Sequence, residues 1–139
     1  MSTAPHSLDN AFAAAEALSS LTAKFVETEQ EHSSVIVRAL GPNLGQRECP
    51  AILEAAVEAL RQRPKNARFF VFDLSNVRTF SALGLGLCQD LAKRVSEQKM
   101  KPILFGLNGP LLDQLRMFKT DRLYTVARSR GDLIALTGS

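Results

Sequence analysis

The stretch Phe69 to Cys88, FFVFDLSNVRTFSALGLGLC, constrains the fold more than any other part of the chain. Phe69 to Phe72 form a short continuous apolar run suited to a strand covered on both faces, and Asp73-Leu74-Ser75-Asn76 supplies the turn chemistry that ends it. The spacing then predicts a helix. After Ser81, the residues Leu83, Leu87, Leu91 and Val95 recur every four positions, with Cys88 and Ala92 widening the stripe. Gln89, Asp90, Lys93, Arg94 and Glu97 are left facing water. A strand that feeds a helix through a short polar loop is the unit of α/β folds, and the loop is a natural place to bind.

The rest of the chain repeats that alternation. Met1 to His6 read as a polar tail, and SLDNAFAAAEALSSL from Ser7 predicts a short helix with Leu8, Phe12, Ala15 and Leu18 on its apolar side. So thin a stripe must dock on the main body or on another subunit, because isolated short helices are marginal. Lys24 to Gln30 and Ser34 to Leu40 predict a hairpin closed near Glu31-His32-Ser33, with Val35, Val37 and Ala39 on one face and Ile36 and Leu40 on the other. Gly41-Pro42-Asn43 breaks the pattern. Pro50 sits near a helix start, and Ile52, Leu53, Ala56, Val57 and Leu60 make its inward stripe, which stops at Arg61 to Pro64.

Lys101 to Leu107 predicts another buried strand, and Asn108-Gly109-Pro110 turns it into a helix carrying Leu111, Leu112, Leu115 and Phe118 inward. Leu123 to Ala127 gives a last strand and Gly131 to Leu136 a terminal helix. The expected order, ββαβαβαβα, is that of an α/β domain: a mixed, mainly parallel sheet of about five strands with helices packed on it. The expected division is a tail and short helix over residues 1–22 and one domain over residues 23–139.

Composition removes several function classes. A chain of 139 residues is one domain able to bury a core without disulfides or metal. The net charge of +3 and pI near 9.1 are mild, and Arg61, Arg63, Lys65, Arg68, Lys93, Arg94, Arg128 and Arg130 are scattered without interleaved aromatics, so no nucleic-acid partner is expected. Cys49 and Cys88 stand alone and read as buried small apolar residues; His6 and His32 have no partner at ligand or relay spacing. No apolar run approaches the roughly 20 residues of a membrane span. No basic leader precedes an apolar stretch, so no direct membrane insertion and a cytoplasmic, bacterial-type protein are expected.

Gly84-Leu85-Gly86 lacks the third glycine of a dinucleotide fingerprint, since Gln89 stands there, and no Walker lysine is present. Close packing of the helix on a neighbouring strand is the better reason for these glycines. Asp73 and Ser75 are read as closing the turn through side-chain bonds to the backbone. No catalytic residue, metal or cofactor is expected, and no enzyme.

VFDLSNVRTFSALGLGLC followed by KPILFGLNGPLLDQLRMFKTDRLYTV resembles the STAS family, the sulfate-transporter and anti-sigma-factor-antagonist domain. In that family a buried strand ends in a D-L-S-x-V turn, then an apolar residue, then D-S-S-G-L-G opening a helix. Here Asp73, Leu74, Ser75 and Val77 match the turn, Phe80 the apolar position, and Gly84, Leu85 and Gly86 the G-L-G. The similarity spans about residues 24 to 136 and is strongest from Phe69 onward. In the regulatory members a partner kinase, which is also an anti-sigma factor, phosphorylates the serine after the motif's aspartate. This chain departs from the pattern: Ser81 stands at the aspartate position, Ala82 at the acceptor and Leu83 at the next serine. Alanine has no hydroxyl to accept a phosphoryl group. The turn around Gly41 to Gly45 also lacks the acidic residue often found in switchable members.

Ser81 and Thr79 are the nearest hydroxyls. Ser81 reads either as a displaced acceptor, where phosphate would sit beside a helix N-terminus, or as the helix N-cap, which is the favoured reading. What the resemblance implies is a protein-binding regulatory module resembling anti-sigma factor antagonists and not phosphorylated at the usual position. Its partner would be an anti-sigma factor or kinase. The expected contact residues are Thr79, Phe80, Ser81, Ala82, Leu83, Gly84, Leu85, Asn43 and Gln46, in the Thr79 to Leu87 corner and the Gly41 to Arg47 loop. Asp73, Ser75, Gly84 and Gly86 are expected to hold the turn. Leu83 divides evenly between an exposed contact and the first residue of the inward stripe. The alternative is a structural or scaffold domain, homodimeric or an accessory subunit of a membrane transporter.

Overall fold

The computed structural model describes residues 24–138, so the helix expected from Ser7 and the boundary at residue 22 lie outside the described residues. The predicted hairpin is present as β1 (Val26–Glu31) and β2 (Ser34–Ala39), antiparallel, with Glu31 opposite Ser34. His32 takes the positive φ of 55° that so short a hairpin loop needs. Then follow β3 (Asn43–Leu44), α1 (Glu48–Arg61), β4 (Phe69–Asp73), β5 (Thr79–Phe80), α2 (Ala82–Glu97) and β6 (Lys101–Phe105). The chain continues through α3 (Gly109–Met117), a 3-10 turn (Thr120–Leu123), β7 (Thr125–Ala127) and α4 (Arg130–Thr137).

The main sheet has five strands in the order β1-β2-β4-β6-β7, parallel except for the hairpin. From β2 onward each new strand is added on the same side of the last. Crossovers of one hand then place every connecting helix on one face. The core follows: Val35, Val37, Phe70, Phe72 and Leu104 meet Ile52, Ala56 and Leu60 of α1, Leu87, Leu91 and Val95 of α2, and Leu111 and Leu115 of α3. The opposite face carries a smaller cluster, Ile36, Val71, Ile103 and Ala127, covered by Leu133 and Leu136 of α4.

Four details differ from the sequence reading. Asn43–Leu44 and Thr79–Phe80, read as loop, form a separate two-stranded parallel pair. Neither pair of residues is long enough to show periodicity, and only their meeting across 36 positions defines them. Leu83 does not join the inward stripe of α2 but is 50% exposed, while Leu85 is buried in its stead. A four-residue spacing overshoots the helical repeat by about 40° per step, so Leu83 lies roughly 120° around the helix from Val95.

Phe118 likewise is not inward but 54% exposed. The helix stops at Met117, Lys119 turns at φ 60°, and the buried Thr120 and Tyr124 take the inward positions that a continuing helix would have given to Phe118. Finally, two strands are shorter than expected: the one from Lys101 ends at Phe105 and not at Leu107, because Gly106 bends away at φ 81°, and the last begins at Thr125 and not at Leu123, which closes the 3-10 turn.

Candidate functional site

The corner between β4 and α2 is built from the strand end upward. At the end of β4, the buried Asp73 carboxylate accepts hydrogen bonds from the Ser75 amide (2.9 Å) and hydroxyl. Leu74 N–H donates to the Phe105 carbonyl of β6 at 2.8 Å, and Val77 N–H returns to Leu74 at 3.0 Å. Leu74 and Val77 point into the core. Asp73 and Ser75 therefore close the turn, as their types predict. Gly106 is packed so tightly on this turn that a Cβ there would lie 2.9 Å from the Ser75 nitrogen and Cα.

The next residues are zipped to the Gly41–Arg47 loop. Arg78 and Thr79 N–H both donate to the Pro42 carbonyl, at 2.7 and 3.1 Å, and the Thr79 hydroxyl lies 2.7 Å from the Asn43 side-chain oxygen. The Leu44 carbonyl receives both the Ser81 amide (3.2 Å) and the Ser81 hydroxyl (2.8 Å). That same hydroxyl oxygen accepts from the Leu83 and Gly84 amides at 3.2 and 3.4 Å. Ser81 is thus the N-cap of α2 and a strut to β3 at once. Asn108, the cap of α3, braces the corner by donating to the Val77 and Arg78 carbonyls.

The two glycines of the motif do different work. A Cβ on Gly84 would come within 3.1 Å of Leu44 Cβ and carbonyl oxygen and 3.3 Å of Phe80 Cβ. Gly84 lets α2 press against the β3/β5 pair. Gly86 does not share that role, since nothing lies within 4 Å of a Cβ built there. It faces a shallow groove of about 390 Å³ between α1 and α2, lined by Cys49, Pro50, Leu53, Ala82, Leu83 and Leu87, with Gln46 and Asp90 at its edge.

Of the expected contact residues, Thr79, Ser81, Ala82, Leu83, Asn43 and Gln46 are exposed, and the structure brings them to one corner. Phe80, Gly84 and Leu85 lie beneath it, buried, and support it instead of presenting side chains. Both cysteines are buried; burial pushes both thiols above their ordinary range, with Glu48 adding to the effect at Cys49.

Sequence reasoning missed a second polar centre, on the opposite face of the sheet. Arg38 binds Asp73 through Nε at 2.8 Å, Glu27 through Nη1 at 2.9 Å and Glu29 through Nη2 at 3.0 Å. The hydrogen bond to Asp73, more than burial opposes, raises the guanidinium pKa further above its already high value. The signal was available in the hairpin register, which sets Glu27 opposite Arg38 and Glu29 on the diagonal. Beside it lies a cleft of about 260 Å³ over Ile36, Val71 and Phe105. Among the described residues no cluster of metal-ligating side chains occurs, and no helix is long and apolar enough to cross a membrane.

This is a small α/β domain organised around a strand-to-helix corner whose two loops are hydrogen-bonded together. A family model for the STAS domain matches residues 10–133, and the chain belongs to that family. A search of curated proteins finds no significant match. Among solved structures, an anti-sigma-factor antagonist (STAS) domain protein from Planctomyces limnophilus is similar at TM-score 0.71 and 17% identity, over 82% of this chain and 98% of that one. A putative anti-sigma factor antagonist from Thermotoga maritima has TM-score 0.70 and 14% identity, over 86% and 98%. The murine anion transporter Slc26a9 has TM-score 0.65 and 11% identity, over 78% of this chain and 18% of the transporter.

Proposed function

We propose that this domain is a non-enzymatic, protein-binding regulatory module of the anti-sigma-antagonist kind, cytoplasmic and bacterial, that engages its partner without a phosphorylation switch at the usual position. The observation that carries the reading is the chemistry of the corner. Ala82 stands at the acceptor position, Leu83 beside it is half exposed, and the groove they border is apolar. A phosphate in such a surface would be desolvated in the interface, whereas a corner without one stays ready to bind. The neighbouring hydroxyl of Ser81 already accepts two amides and donates to Leu44, so phosphorylating it would dismantle the cap.

Affinity capture with the wild-type chain and with Leu83→Asp as baits tests this. A partner retained by the first and lost by the second, with no phosphate on Ser81 or Thr79 after incubation with that partner and ATP, supports the reading. Phosphate mapped to Ser81 or Thr79 would restore a switch and sink the constitutive form. A homodimer that Leu83→Asp dissociates would move the domain to the scaffold class.

A further inference from the structure

Three of the five large apolar side chains that the described residues leave exposed fall within seven consecutive positions: Met117 at 76%, Phe118 at 54% and Leu123 at 48%. They alternate with Arg116, Lys119 and Arg122, all exposed and none paired with a carboxylate among the described residues. Asp121 is the one acid in this run. Lys93 adds a fourth cation and Glu97 a second acid, since both line with Leu123 the same shallow depression against α2, leaving basic residues in excess by four to two.

The display is fixed by what lies beneath it. Leu115, Thr120 and Tyr124 point inward. The Tyr124 hydroxyl donates to the Cys88 carbonyl at 2.6 Å, and the Gln89 amide donates to the Thr120 hydroxyl at 3.3 Å. Lys119 reverses the chain at φ 60°. With its alternate residues pinned to the core, the turn cannot fold Met117 and Phe118 away. They project, ringed by cations.

We propose that this turn, Arg116 to Leu123, is a docking site for an anionic lipid surface, with Met117, Phe118 and Leu123 entering the headgroup and acyl boundary and Arg116, Lys119, Arg122 and Lys93 facing lipid phosphates. Apolar tips among basic residues are what an interfacial site requires. A protein partner is the poorer fit, because eight residues are far fewer than the roughly 20–30 a side of a standard interface. Absence of a long apolar run argued against membrane insertion, but a surface turn needs no such run. The site is distinct from the corner: the turn meets α2 at Gln89 through Thr120, six residues from Leu83 and about 9 Å along the axis. The domain could hold a partner at one and a membrane at the other.

The test is co-sedimentation of the full chain with phosphatidylcholine vesicles, with and without phosphatidylglycerol. Binding only to the anionic vesicles, weakened by salt, is expected. Lys119→Glu with Arg122→Glu should reduce it roughly thirtyfold or more, given about 1 kcal/mol per basic residue near such a surface. Phe118→Asp should abolish it, while Leu83→Asp leaves it intact. These side chains are exposed, so far-UV circular dichroism and melting should match wild type. No binding to anionic vesicles, equal binding to neutral ones, or full binding by Phe118→Asp would overturn the proposal, as would a wild-type dimer that Phe118→Asp splits to monomers.

Discussion

Gly84 and Gly86 lie on one helix, two residues apart, and alanine should act on them in opposite directions. At Gly84 the new Cβ would stand 3.1 Å from Leu44 Cβ and carbonyl oxygen and 3.3 Å from Phe80 Cβ. Comfortable carbon contacts begin at about 3.5 Å, so α2 must lift by several tenths of an ångström or the β3/β5 pair must yield. Overpacking of this order costs about 1–3 kcal/mol. Alanine's helical preference returns at most about 1 kcal/mol, and less in a first turn. Gly84→Ala should therefore lose about 1–2 kcal/mol. At Gly86 no atom lies within 4 Å of the added carbon, and the propensity gain of about 0.5–1 kcal/mol stands unopposed. Urea unfolding followed by far-UV circular dichroism reads both, with an unchanged slope expected. The midpoints should split around wild type, by roughly 2 kcal/mol between the variants. A Gly84→Ala protein as stable as wild type would refute the close-approach argument, and a destabilised Gly86→Ala would refute the open-groove one.

Other outcomes follow from the same geometry. Gly106→Ala meets both a φ of 81° and the Ser75 backbone at 2.9 Å, so it should cost about 3 kcal/mol or more and melt the protein well below Gly84→Ala; parity between the two would count against the tight packing of the Asp73 turn. Ser81→Ala removes the cap of α2 and the bond to Leu44, a loss of about 1–2 kcal/mol by chemical denaturation, and Ser81→Thr should recover most of it. Burial pushes the Cys88 thiol and the Tyr124 phenol upward from 9.0 and 10.0, so the folded state holds both protons longer than the unfolded chain. That stability is complete below about pH 9 and is lost as pH rises beyond it. Melting temperature measured from neutral to alkaline pH should fall there, and Tyr124→Phe should flatten the upper part of the decline.

The main sheet was legible because its signals are local and repeated. Phe69–Phe72, Val35–Val37 and Ile103–Phe105 carry apolar runs or alternation, and each is bounded by Gly, Pro, Asn or Asp punctuation. The α/β class and most elements followed from that alone. What escaped was set by tertiary packing or, at Leu83, by the drift of a four-residue spacing around the helix. Leu83 and Phe118 satisfy a helical stripe by type and spacing, yet one sits too far around its helix and the other follows a helix that has ended. The β3/β5 pair exists only because Pro42 and Leu44 present carbonyls to residues 78–81. Two-residue strands joined across such a separation leave no trace in a window of sequence. The Arg38 centre was the one omission with a readable signal, in the register of the hairpin.

The corner also shows which of its positions carry the scaffold and which do not. The bonds that shape it are made by the backbone of residues 42–44, 74–84 and 105 and by the side chains of Asn43, Asp73, Ser75, Thr79, Ser81, Asn108 and Gln114, and the missing side chain of Gly84 gives the room. The side chains of Ala82 and Leu83 make none of them and point to solvent. Substitution at these two positions should therefore leave the corner's hydrogen bonds in place and alter only its surface chemistry. Ser81 is the opposite case: its hydroxyl oxygen accepts from the helix amides while its proton goes to Leu44, so any replacement there acts on the scaffold. The cap needs an oxygen and does not need a charge.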